Sequence, residues 1–289
     1  MALQLNPYFS YFDKSFTESQ TKNYVLLLQL NAHGVELVTY NKETNKFIGA
    51  EYFIFSEIDT ANQIPSYLGK ILNYRSSYAY PYNEVHLLYQ NGHSTLIPKP
   101  LFSEKNKNKY LEFNQPYQED CNIAYDTLIN NDAVNIYHIP TLIVDMVKEL
   151  WPNAKISHFS TALIESLSIN FKNKPEPKPL FVNIQSDCFD MVYFKENVLH
   201  FHNTFEYRTK EDFIYFLLIA IDQLGLNPED VNVHILGNID KTDDKYRMLV
   251  QYIKNFSFIK RNDNFLYSYA MDELQFHKFF TLFNALQCE

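Results

Sequence analysis

His200 and His202 stand two positions apart on a run that reads as a β-strand. Both imidazoles would leave one face of such a strand, where they could ligate a metal ion. No Cys or acid at a fixed short spacing completes a ligand set, so the sequence assigns no metal. Asp187 and Asp190 flank Cys188 and could serve a hydrolase as acid and base. They also fall in and just after a hairpin turn, where Asp is a common turn residue. Cys121, Cys188 and Cys288 are odd in number and lack C-x-x-C spacing, which reads as free thiols of a reducing compartment, the cytoplasm, rather than a disulfide framework. Lys105, Lys107 and Lys109 alternate with Asn in a segment without apolar period, a solvated loop.

Several chemistries are closed off. The chain has 6 glycines, and no two lie closer than the 12 positions from Gly225 to Gly237. A dinucleotide turn, a Walker loop and a nucleophile elbow each need glycines a few residues apart, because the backbone must take positive φ or touch a phosphate. The net charge of −9 over 289 residues would repel a nucleic-acid backbone or an anionic membrane surface. The longest apolar run, Phe213 to Ile221, is too short to span a bilayer, and residues 1–24 have no apolar core of the signal-peptide kind.

The elements that must position these residues follow from periodicity. Tyr24 to Leu30 is nearly all apolar and reads as a buried central strand, and Val35 to Tyr40 and Phe47 to Phe55 continue it as an antiparallel meander. A helix at about Ala61 to Tyr74 and a strand at Glu84 to Gln90 follow. The order then recurs, displaced by about 157 residues: Phe181 to Gln185, Asp190 to Phe194, Val198 to Phe205, a helix, and Val231 to Leu236. Thr209 and Asp212 have capping-box spacing and open that helix, which stops at Gly225. Between the copies lie strands at Asn122 to Leu128 and Ala133 to Tyr137, and helices at Thr141 to Leu150 and Ala162 to Phe171; Trp151 caps the packing of the first of these helices. Lys172 to Pro179, with three prolines in eight residues, reads as a spacer. The resulting division is an N-terminal extension 1–23, a first lobe 24–171 with an inserted subdomain at about 101–150, a linker 172–179 and a second lobe 180–289. Asp272 to Gln287, with Phe276, Phe279, Phe280, Phe283 and Leu286 at helical spacing, reads as one closing helix.

Three strands, a helix and a strand, occurring twice with a connecting helix, resemble the actin, Hsp70 and hexokinase superfamily of duplicated ribonuclease-H-like domains. The resemblance is nearest to the bacterial actin-like branch of pilus-assembly and cell-division proteins, and to an uncharacterised bacterial family of unknown function. It implies an α/β fold of two lobes, each a mixed five-stranded sheet flanked by helices. In active members the first hairpin of each lobe carries Asp-x-Gly, the acid for Mg²⁺ or water and the glycine for backbone contact with phosphate. Here Leu28-Gln29-Leu30-Asn31 puts Gln29 at the acid and Asn31 at the glycine. In the second copy, Val182-Asn183-Ile184-Gln185-Ser186-Asp187 puts Asn183 at the acid and Gln185 at a glycine, where a left-handed conformation would cost roughly 1 to 2 kcal/mol. The adenosine-side turn keeps one glycine of a usual pair, in Leu236-Gly237-Asn238.

The resemblance therefore implies the fold without the ATPase: a non-catalytic cytoplasmic scaffold or protein-binding module with no cofactor, no metal and a protein partner. The alternative is an ATP-binding enzyme, a kinase or ATPase with non-standard phosphate loops, or a hydrolase using Asp187 or Asp190.

Overall fold

The computed structural model describes residues 6–55, 63–171 and 179–288. It divides into two compact units. The first takes residues up to Leu128, Asp132–Leu163 and Asp263–Leu274; the second takes Ile129–Asn131, Ile164–Asn262 and the chain from Gln275 on.

In the first unit, β1 (Phe9–Phe12) precedes the meander β2 (Tyr24–Asn31), β3 (Gly34–Asn41) and β4 (Lys46–Ile54). Then come α1 (Ile64–Tyr74), β5 (Glu84–Tyr89), β6 (Ser94–Pro98), α2 (Lys107–Asn114), β7 (Cys121–Thr127), β8 (Ala133–Pro140), α3 (Thr141–Leu150) and β9 (Lys155–His158), and α4 (Phe159–Phe171) begins in this unit and passes into the second from Ile164 on. The sheet order is β4-β3-β2-β5-β9, with β2 antiparallel to β3 and parallel to β5. β2 is central because its side chains are apolar on both faces, and every residue from Tyr24 to Leu30 is buried. Leu26, Leu28 and Leu37 pack with Leu68 and Ile71 of α1 and with Trp151 in one core.

The second unit repeats this order. β10 (Pro179–Ile184), β11 (Cys188–Lys195) and β12 (Val198–Glu206) lead into α5 (Lys210–Gln223), β13 (Asn232–Gly237), α6 (Asp244–Tyr252) and β14 (Asn255–Phe258), and the sheet runs β12-β11-β10-β13-β14. β10 is antiparallel to β11 and parallel to β13. Thr209 and Asp212 form the capping box in full, and α5 ends as Gly225 (φ 65°) donates to Asp222 O and Leu226 N to Ile221 O. Glu196 and Asn197 take φ of 52° and 64° in the β11–β12 turn, where two successive left-handed residues match strand twist.

Some expected boundaries fall elsewhere. The second sheet has five strands, but the first has seven among the described residues, because the outer edge of β4 is shared. β1 pairs with Gly49–Tyr52, so the expected extension supplies an edge strand, and β15 (Leu266–Tyr267) pairs with Lys46 and Phe47. Residues 263–274 thus pack with the first unit, not with the second lobe where the sequence reading put them. The insert is the separate sheet β6-β8-β7 with α2, spanning 94–140 rather than about 101–150. α3 is outside it because Ile143 and Val147 belong to the main core. The start of the helix expected at about Ala61, and nearly all of the 172–179 linker, lie outside the described residues.

The single closing helix is not formed. Residues 269–271 make a 3-10 turn, Gln275 is extended (φ −81°, ψ 92°), a second 3-10 turn covers Phe276–Lys278, and only α7 (Phe280–Asn284) is α-helical. Every residue from 279 to 285 is buried, so the segment is enclosed on all sides instead of presenting one apolar stripe. Side chains meet its backbone needs: Asn284 Nδ2 donates to Phe280 O at 2.7 Å, and Asn262 Nδ2 to Asn284 Oδ1 at 2.6 Å.

Candidate functional site

In the second unit Asn183 lies directly across from Asp190 in the β10–β11 ladder. Asn183 Nδ2 donates to Asp190 Oδ2 at 2.9 Å, Thr204 Oγ1 to Oδ1 at 2.7 Å, and His202 Nε2 stands 3.7 Å from Oδ1. Burial opposes ionisation of Asp190, but the nearby His202 imidazole and the hydrogen bonds from Thr204 and Asn183 outweigh it and hold the carboxyl below its ordinary range. Asp190 is therefore no turn residue. It is a buried strand carboxylate fully engaged by its neighbours.

Gln185 does not take the left-handed conformation the glycine comparison required of it, so the strain expected there is absent. The turn closes differently: Gln185 N donates to Cys188 O at 2.8 Å, Tyr207 OH donates to Gln185 O, and Tyr207 N donates to Asp187 O at 2.9 Å. Gly237 has φ 91°, and a Cβ there would stand 2.2 Å from Ile184 O and 2.7 Å from Asn183 Oδ1. The glycine is needed for strand approach, since β13 ends against β10 and Asn238 N donates to Ile184 O at 2.6 Å.

The first unit solves the equivalent turn with a side chain. Asn31 Oδ1 accepts from His33 N at 2.8 Å and Gly34 N at 3.0 Å, an Asx-type turn. Both turn amides are thereby occupied from within. Gln29 Nε2 and Asn31 Nδ2 both donate to Gln90 Oε1 at 3.3 Å, so the two positions share a partner at the end of β5. Gln29 lies across from Glu36 as Asn183 lies across from Asp190.

A further polar cluster in the first unit escaped the sequence reading. Asp126 Oδ2 accepts from His158 N and Thr161 Oγ1, both at 2.8 Å, and Tyr137 OH donates to Oδ1 at 3.1 Å. Asn135 Nδ2 bridges Thr161 Oγ1 at 3.0 Å and His158 Nδ1 at 3.3 Å, and His158 Nε2 meets Asn91 Oδ1 at 3.1 Å. Burial pushes Asp126 up to about 6 against the lowering effect of its three donors. The residues come from separate elements, so spacing could not join them. The one available signal was Asn135 and His138 inside β8, which is buried along its whole length.

Of the other candidates, His200 is exposed with its ring against Tyr193, and His202 faces Asp190. Among the described residues no group of three or more His, Cys, Asp or Glu could hold a metal ion. All three cysteines are free thiols, and the Cys188 thiol is pushed well up by burial and by the carboxylates of Asp190 and Asp187. Trp151 is buried in the first core, and Lys105 and Lys109 are exposed. No helix among the described residues is long and apolar enough to cross a membrane.

Two units of identical strand order, the first carrying an inserted small sheet, define the actin-like ATPase fold. A solved structure from Bacteroides thetaiotaomicron VPI-5482, a protein with actin-like ATPase fold and unknown function, matches with TM-score 0.75 and 25% identity over 86% of this chain and 96% of that one. A chain of the PilM-PilN type IV pilus biogenesis complex matches with TM-score 0.57 and 12% identity over 91% of this chain and 98% of its own. No curated protein sequence matches. The model of the family described as Protein of unknown function (DUF3822) matches residues 13–256, and the chain belongs to that family.

Proposed function

We propose that this chain is a non-catalytic actin-like-fold protein, a cytoplasmic scaffold or protein-binding module that does not turn over nucleotide. The observation that carries the reading is Asn31 Oδ1, which holds the His33 and Gly34 amides where an active relative would present backbone to phosphate. Gln29 and Asn183 add to it, as neutral amides with no charge to hold Mg²⁺. Three free thiols fit a reducing compartment. The PilM-PilN complex gives the fold a precedent for a protein partner. The alternative is an ATP-binding enzyme of the same fold, a kinase or ATPase with non-standard phosphate loops, or a hydrolase using Asp187 or Asp190.

A thermal melt at millimolar Mg-ATP beside a phosphate-release assay tests the proposal. A ligand at 100 times its dissociation constant stabilises by about 2.7 kcal/mol, worth roughly 5 °C or more in a chain of this size. No shift and no released phosphate are expected. A reproducible shift of that size with phosphate release would promote the alternative.

A further inference from the structure

The insert carries a surface that its own small core does not use. α2 buries Leu111 against Val134 and Ile136, with Tyr110 packed beside them. Phe113 lies two positions beyond Leu111, on the other side of the helix, and is 88% exposed. Lys109, one turn before it, is exposed on the same side, and Lys105, in the 3-10 turn Glu104–Asn106 that leads into the helix, is exposed as well. Tyr110 OH donates to Leu101 O at 2.8 Å and anchors Leu101, 68% exposed, beside this helix. Among the described residues Lys105 and Lys109 make no ion pair, whereas Lys107 lies over the Tyr125 ring. From Lys99 to Tyr117 there are four lysines and two glutamates, in a chain whose net charge is −9.

We infer that the Leu101, Lys105, Lys109 and Phe113 face docks a segment of a partner protein that presents carboxylates around an apolar anchor. The inference rests on the protein-binding reading and names the class of partner. Charge selects it: an acidic segment is repelled by most of this chain and meets unpaired ammonium groups here, flanking an aromatic side chain that can be fully desolvated. Phe113 is the anchor, and the lysines set orientation and on-rate.

The test is fluorescence anisotropy with a labelled synthetic peptide of Glu, Leu and Ala, its leucines at helical spacing, against the same peptide with Lys for Glu. The acidic peptide is expected to bind more weakly as salt rises. Affinity should fall about tenfold or more in Phe113→Ala, and again in the Lys105→Glu, Lys109→Glu double variant. Phe113 is exposed, so an unchanged melting temperature will show that its variant is folded. Equal affinity of wild type and variants, or equal binding of the basic peptide, overturns the surface and leaves the protein-binding reading standing. No binding of either peptide also overturns it, and the Mg-ATP melt then decides separately whether the protein-binding reading falls. Sedimentation showing self-association that Phe113→Ala abolishes would give the face to a second copy of this chain and overturn the acidic partner.

Discussion

Asn183 gives an amide proton to the Asp190 carboxylate across two adjacent strands at 2.9 Å. Seven positions separate these residues, as seven separate Gln29 and Glu36, so each first hairpin sets an amide opposite an acid. Asn183→Asp would replace the donor with a second carboxylate, and one of the pair would titrate well above its ordinary value. A raised folded-state value means stability present at low pH and lost as pH rises through it. Asn183→Asp should therefore melt below wild type at pH 7.5 and recover much of the difference near pH 5. Restabilisation at pH 7.5 by millimolar Mg²⁺ would instead reveal a competent metal position.

Gly237→Ala should destabilise strongly. Its φ of 91° is unsuited to an L side chain, and the added carbon would meet Ile184 O at 2.2 Å. Backbone strain of this kind costs about 1–3 kcal/mol, and the clash adds to it. The check is chemical denaturation. A midpoint equal to wild type would mean that β13 can withdraw from β10. Variants at Gly237 cannot serve as clean probes of nucleotide binding, because they disturb the ladder first.

Asp126 is expected to titrate near its raised value of about 6, against roughly 3.9 in the unfolded chain. Its folded value is the higher one, so its stabilising contribution is full below about pH 4 and is lost as pH rises through 6. Asp126→Asn should flatten the pH dependence of melting between pH 4 and 7. Carboxyl ¹³C shifts that place the wild-type midpoint near 4 would show that the three donors fully offset burial.

Phe280→Ala should leave little soluble protein. The closing segment is not one helix, but Phe280 is buried within it, and truncating a buried Phe costs about 3–5 kcal/mol. Normal yield and melting would place this ring at the surface.

What the sequence disclosed tracks local chemistry. β2 was legible as a nearly all-apolar run, β10 as a short strand in the repeated order, and α5 as a capping box closed by a glycine. The hairpin positions Gln29, Asn31, Asn183 and Gln185 were found by order, yet what they do depends on partners far along the chain: Gln90 for the first pair, Asp190 and Tyr207 for the second. The Phe spacing at 276–286 fitted a one-faced helix equally well, because periodicity does not report burial from all sides. β1 and β15 were missed because short strands gain their pairing from a β4 edge formed elsewhere.

The attachment of β1 gives the last prediction. Glu51, buried in β4, accepts from Arg75 through Nη2 at 2.8 Å and Nε at 3.2 Å, from Ser10 Oγ of β1 at 2.6 Å, and from Tyr78 OH. The Arg75 guanidinium also lies 4.4 Å from the centre of the Phe12 ring. Arg75→Ala removes the cation and leaves a buried carboxylate without its charge partner, a loss of about 3–5 kcal/mol when the pair is fully enclosed. Arg75 keeps a quarter of its side chain in solvent, so the lower end applies. Melting should fall by several degrees, and hydrogen exchange at residues 9–12 should accelerate more than at the centre of β2. Uniform acceleration across the sheet would mean that Glu51 supports the whole unit, and unchanged exchange at 9–12 would show that backbone pairing with β4 holds β1 by itself.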